Sequence, residues 1–285
     1  MTAKYRFVIF LVLSLLSATI FFREAIAQVF SVVIHREGSS HGVFVPFLSL
    51  YFLYLNFGTL KQIELKTDPR GAALMIAGLI FPIFNVGTFH IHFMAYTLVL
   101  AGLVMLMFGK DMFKHTAFPV FFLITTVPIP PDIYEAIANY SRTIAFGVSL
   151  KIISLFGIPY HRVGWNIQLP NALLEVAIGC SGIRYMISYF VFGIAYAYIM
   201  KTSTTARIIT VALTIPISHV ASIFRLTIIF MMTHYVSPYW SQPKPHVWLS
   251  WFVFFTILFG VMLLDQNFSK CWEARKLEGS DAAVS

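Results

Sequence analysis

The chain has 285 residues, of which 58% are hydrophobic and 11% are Asp, Glu, Lys or Arg. An ordinary soluble domain carries about 25% charged residues, so a typical soluble enzyme is excluded. The formal net charge of +8 does not point to nucleic acid, because Lys and Arg are scattered between apolar runs and form no basic stripe.

A hydrocarbon core about 30 Å thick takes about 20 helical residues to cross. Hydropathy places spans near residues 6–22, 43–60, 72–90, 93–109, 116–130, 181–200, 207–232 and 247–265. The expectation is an all-α, polytopic integral membrane protein with about eight transmembrane helices. Lys4, Arg6 and the "AIA" at Ala25–Ala27 have the outline of a secretory signal, but Arg23 and Glu24 sit badly in one, so the first run is read as a retained span. No internal repeat or low-complexity tract appears, and residues 1–285 are read as one membrane domain.

The connections divide by charge. Lys4 and Arg6, then Lys61, Lys66 and Arg70, then Lys110 and Lys114, then Lys201 and Arg207, then Lys270, Arg275 and Lys276 fall on one side. By the positive-inside rule that side is cytoplasmic, which puts both termini inside and turns segments 23–42, 131–180 and 233–246 outward. In the longest of these, Glu135, Ser141, Arg142 and Lys151 interrupt an apolar helix, read as lying along the outer interface with its polar groups among the headgroups. "VGWNIQLPNALLEVAIG" follows, with alternation and turn residues Gly164, Pro170 and Asn171. It reads as a short extracytoplasmic hairpin before the cysteine helix.

This topology gathers four reactive groups at the outer face. Cys180 is expected at the outer N-terminus of its helix, with Arg184 one turn deeper, about 6 Å below. Arg225 lies about 10 Å short of the outer end of the next span, and His246 opens the last one. An arginine within the hydrocarbon usually faces a protein interior or an aqueous cleft. A thiol at a helix N-terminus near fixed positive charge is expected to have a lowered pKa. His246 suits the acid/base, and Arg225 suits an oxyanion donor in acyl transfer.

Each residue also has a plainer reading. Cys180 alone would be a small hydrophobe, and Cys271 beside Trp272 is read as that or as a trivial exposed thiol. Arg184 either meets substrate or snorkels. His246 alone is an interfacial polar residue, and His219 with Ser218 and Ser222 reads as interior polar glue. His90 and His92 lack a third ligand, so no metal and no cofactor is expected.

"LLEVAIGCSGIRYMISY" resembles the cysteine signature of the exosortase and archaeosortase family of membrane transpeptidases, in which Cys-Ser-Gly is followed by an apolar residue and Arg. "SSHGVFVPFLSLYFLY" from Ser39, "FPVFFLITTVPIPPDIY" from Phe118, "HVASIFRLTII" and "HVWLSWFVFF" resemble further family elements. The resemblance implies a triad of Cys180 as nucleophile, Arg225, and His246 as acid/base. Since archaeal members often have arginine at that histidine, it resembles the bacterial type. Ser222 stands where exosortases usually have Asn, and Leu249 and Ser250 where they have Tyr-Gly; Arg184 and Ser222 are the candidate substrate-binding residues.

The resemblance further implies a cysteine peptidase or transpeptidase of the cell inner membrane. Its substrates would be secreted proteins bearing a C-terminal signal: a short motif such as Pro-Glu-Pro, a hydrophobic span and a basic tail. Its other partners would be the lipid bilayer and an extracytoplasmic polysaccharide or lipid acceptor, with no nucleic acid. Two alternatives stay open: a membrane acyltransferase using Cys180 with a lipid acyl donor, and a non-enzymatic, transporter-like membrane protein.

Overall fold

The computed structural model describes residues 3–36, 39–84, 88–242, 244–245 and 247–263. Backbone proximity divides the chain into two compact units, Met1–Ile133 and Tyr134–Ser285.

In the first unit, α1 (Ala3–Phe21) and α2 (Arg23–His35) meet at a 67° bend beside the buried Phe22. Ala25, Val29 and Val33 recur every four residues along α2 and bury one stripe. Then come α3 (His41–Leu55), the single turn α4 (Phe57–Leu60), α5 (Arg70–Ile80) and the long α6 (Phe89–Phe122).

α6 is broken at Gly109, whose φ of 87° and ψ of 175° lie outside helical space. Phe93 and Val127 both pack on the Val29–Val33 stripe. A straight helix would hold those two residues about 50 Å apart at 1.5 Å per residue, so the chain reverses within the run. Its N-terminal arm packs on α5, where Gly71 and Gly78 meet the backbone of Leu106 and Ala95, and Gly102 meets that of Met75 and Gly71. Its C-terminal arm packs on α3. Pro119 cannot donate to the carbonyl of His115 four residues earlier, and Asn56 Nδ2 donates to that carbonyl instead at 3.4 Å. Ser49 Oγ donates to the Pro119 carbonyl at 2.6 Å.

In the second unit, α7 (Pro131–Leu155) leads to strands β1 (His161–Val163), β2 (Asn166–Leu169) and β3 (Ala172–Glu175), then to α8 (Ile183–Met200), α9 (Thr204–Tyr235) and α10 (Val247–Leu263). The strands form an antiparallel meander in the order β1-β2-β3, with two-residue turns at 164–165 and 170–171. It has one strand more than a hairpin. β1 is exposed at all three positions and so carries no alternation to betray it. Ile167, Leu169 and Leu174 join Phe146, Ile153, Ile229 and Phe230 in the core, and Cys180 packs against the same cluster.

α8 and α9 are antiparallel, with Gly182 against Ser222 and Gly193 against Thr214. Tyr189 of α8 donates its hydroxyl to the Phe254 carbonyl of α10 at 2.8 Å. α7 departs from its expected role. Ser141 and Arg142 lie on the buried stripe with Ala138, Ala145, Phe146 and Ser149, while Glu135 and Lys151 are exposed.

Among the described residues, three helical runs are long and apolar enough to cross a membrane: Phe89–Thr126, which folds back at Gly109, Ile183–Met200 and Thr204–Tyr235. The bent pair Val12–Phe21 and Arg23–His35 makes a fourth if it is one span. His41–Leu55, Arg70–Ile83 and Val247–Leu263 are apolar but shorter than the roughly 20 residues a straight crossing takes.

A side chain at Gly71 would meet α6 backbone, whereas one at Gly58 would meet nothing within 4 Å. Gly71→Val is therefore expected to lower stability by about 1–3 kcal/mol, the usual scale of overpacking. Gly58→Ala should leave it unchanged or slightly raised; thermal unfolding in detergent measures both.

Candidate active site

Cys180 lies in a single 3-10 turn, Ile178–Ser181, that enters from extended backbone at Ala177 and leaves through Gly182. Gly182 has φ of 77°, a left-handed value for which glycine carries no Cβ penalty. The α-helix starts only at Ile183, so Cys180 is not on the helix face that carries Arg184, as its position in the sequence suggested. The turn is held by its own backbone, with Cys180 N–H donating to the Ala177 carbonyl at 2.9 Å. Ser181 Oγ accepts from Ile183 N–H at 3.3 Å, covering one of the free amides at the start of α8.

Two helices fix this turn from outside. From α9, Arg225, 2% exposed, donates from Nη2 to the Cys180 carbonyl at 3.1 Å and from Nη1 to Ser250 Oγ of α10 at 3.2 Å. Its guanidinium also lies 5.2 Å from the centre of the Tyr185 ring. From α7, Ser141 Oγ donates to the Ser181 carbonyl at 2.7 Å. Since that spends its one proton, His219 Nδ1, 3.1 Å from the same oxygen, is the donor of the second bond, and His219 is held as the Nδ1–H tautomer. Arg142 donates to the Val176 carbonyl at 3.3 Å and to Asn139 Oδ1 at 2.7 Å, with its guanidinium 3.8 Å from the centre of the Trp165 ring.

The expected site residues are placed unequally. Cys180 and Arg225 are joined through the cysteine carbonyl. The Arg184 guanidinium reaches back beside Gly179 and its field acts on the thiol. Ser222 is 2% exposed, directly beneath Gly182, with its hydroxyl donating to the Ser218 carbonyl at 2.9 Å. Ser218 likewise bonds back within its helix, so His219 has its partner on α7 and not among these serines. His246 lies outside the described residues, as does Cys271; Ser250 follows His246 by four positions.

Ser141, Arg142 and Ser250 were not among the site residues expected from the sequence. The signal for the first two was their phase, since both fall on the helical stripe of small and apolar residues in α7. His92 Nδ1 lies 2.9 Å from the Thr88 carbonyl, and His90 stacks on Phe89. Among the described residues no three His, Cys, Asp or Glu side chains are grouped to hold a metal.

The thiol responds to two opposed influences. Burial pushes the Cys180 pKa up, and Arg225 first, then the Ala177 backbone, Arg142 and Arg184 pull it down; burial wins, and the shift is upward. The lowered thiol pKa anticipated from the sequence is thereby reversed, because the turn packs into the core instead of standing at an open helix end.

A half-buried cysteine clamped between buried arginines, in a chain of apolar helices long enough to cross a bilayer, defines a membrane protein with a built thiol site. The chain belongs to the transmembrane exosortase family (Exosortase_EpsH), whose family model matches residues 33–263. No curated protein and no solved structure matches it.

Gly182 and Ser222 form a testable pair. A Cβ at position 182 would collide with the Ser222 side chain and take a left-handed φ. Gly182→Ala is expected to destabilise by about 2 kcal/mol or more, and Ser222→Gly in the same chain to restore part of it, leaving about 1 kcal/mol of backbone cost. Independent, additive effects in a double-mutant cycle would contradict this contact.

Proposed function

We propose that this exosortase is a membrane cysteine transpeptidase that cleaves C-terminal sorting signals at the outer face of the cell inner membrane through a thioester on Cys180. The observation that carries the reading is the Arg225 hydrogen bond to the Cys180 carbonyl, which anchors one cysteine turn to a buried cation that has no carboxylate partner among the described residues. A guanidinium buried without a counter-charge favours chemistry in which negative charge appears beside it.

In this mechanism the substrate's own span brings its motif to the turn. His246 takes the thiol proton, a step required because burial holds that proton on sulfur. The thiolate attacks the scissile carbonyl carbon, a C–S bond forms, and Arg225 with neighbouring donors offsets the oxyanion. The C–N bond breaks, the imidazolium returns the proton to the leaving amine, and the span and tail depart. An amine or hydroxyl of a polysaccharide or lipid acceptor, or water, then attacks the thioester, the C–S bond breaks, and the acyl group is transferred or released. We assign Arg184, curled over the turn, to substrate binding, and Ser222 to packing beneath Gly182.

The same reading takes residues 1–285 as one exosortase domain with both termini cytoplasmic. Eight spans follow if the bent α1–α2 pair counts once, the two arms of α6 count separately, and α3, α5, α8, α9 and α10 each cross. Tilt and flanking residues accommodate the shorter helices.

A lipid acyl donor is the second reading. It is favoured by an apolar groove of about 540 Å³ between α8, α9 and α10, lined by Gly193, Leu213, Ile217, Ile257 and Val261 among others.

Co-expression with a membrane protein carrying a candidate sorting signal tests the proposal. Wild type should remove the tail, and Cys180→Ser should accumulate the full-length substrate with at least a hundredfold loss of processing. Equal processing by both would remove Cys180 as the nucleophile.

A further inference from the structure

Arg142 is the most constrained cation of the second unit for which the proposed reaction has no use. It is 8% exposed, on the core-facing stripe of α7. Three contacts fix its plane: the Val176 carbonyl, Asn139 Oδ1 and the face of Trp165. Its Nε–H is buried without a hydrogen-bond partner, and among the described residues no carboxylate lies within ion-pair distance of it. A buried charge in that condition is costly unless negative charge is supplied to it.

Val176 is the last residue before Ala177, whose carbonyl receives the Cys180 amide. Arg142 therefore holds the entry to the cysteine turn as Arg225 holds the cysteine itself. Trp165, on which Arg142 lies, and Cys180 pack against one core cluster. The adjacent residue of α7, Ser141, holds the Ser181 carbonyl on the far side of the cysteine. Two consecutive residues of one helix thus bracket Cys180.

We propose that Arg142 is a third cationic residue of the Cys180 site, a positioning residue that fixes the approach to the cysteine turn through Val176 and supplies positive charge to the sulfur when it ionises. This rests on reading Cys180 as the nucleophile, and it adds α7 to the elements that make the site. The charged and titratable groups acting on the thiol are Arg225 from α9, Arg184 from α8 and Arg142 from α7; the field of Glu175, at the end of β3, reaches Arg142. His246 precedes α10 and lies outside the described residues.

The test is the pH profile of Cys180 alkylation by iodoacetamide in the full-length protein, in a Cys271→Ser background so that one thiol remains. Arg142→Met replaces a buried cation with an apolar side chain, an exchange that cores commonly tolerate, and Arg142→Lys keeps the charge. The Met variant is expected to move the alkylation midpoint to higher pH and slow alkylation at pH 7.5 about threefold to tenfold, which is half to one pK unit. The Lys variant should recover most of that rate. A Met profile superimposed on wild type, or a Lys profile displaced as far as Met, would overturn the proposal. The two failures are distinguishable: if Arg142→Met shifts the profile while Cys180→Ser still processes substrate, the transpeptidase reading fails and what stands is that Arg142 acts on the Cys180 thiol.

Discussion

The second unit is organised by one buried guanidinium. Arg225 ties α9 to the cysteine turn through the Cys180 carbonyl and to α10 through the Ser250 hydroxyl, so three segments distant in sequence converge on one planar donor. Arginine suits this because its fork offers several donors in fixed directions and keeps its charge at any ordinary pH. Everything nearby accommodates that bond. Gly182 gives the turn a left-handed exit that lets α8 approach α9, Ser222 fills the space beneath, and Ser141 holds the next carbonyl along.

Burial has a chemical consequence as well as a structural one. Packing the turn into the core raises the thiol's pKa, and the surrounding arginines offset this without reversing it. In the proposed mechanism a cysteine so placed is a guarded nucleophile: the proton stays on sulfur until a base removes it, and the thiolate then forms next to fixed positive charge. The same proposal gives His246 a task that Arg225 cannot perform, since a guanidinium does not act as a base at ordinary pH.

Much of this was legible in the sequence, and for physical reasons. Apolar runs must be helical in a bilayer because every backbone polar group must be satisfied internally, so the helical class could be read from hydropathy, although α2 falls in a segment read as an outward connection. The pairing of Cys180 with Arg225 followed from antiparallel topology. Three things were hidden. The break between Cys180 and Arg184 depends on Gly182 taking a left-handed conformation, and the residue's name does not announce that. The role of α7 was misread because Ser141 and Arg142 were judged by polarity, as headgroup residues, when their helical phase put them on the buried stripe. Burial then inverted the expected thiol shift, a balance that depends on packing and not on residue type.

The central claim is that Cys180 becomes covalently joined to a peptide acyl group. The most direct measurement is the mass of the Cys180-containing peptide isolated from the full-length protein after brief exposure to a sorting-signal substrate. The account predicts an adduct equal in mass to the substrate's residues before the cleaved bond, released by neutral hydroxylamine as a thioester is, and lacking in Cys180→Ser. Substrate cleavage with Cys180 unmodified at every time point, or an adduct carrying a lipid acyl chain instead of peptide, would contradict it.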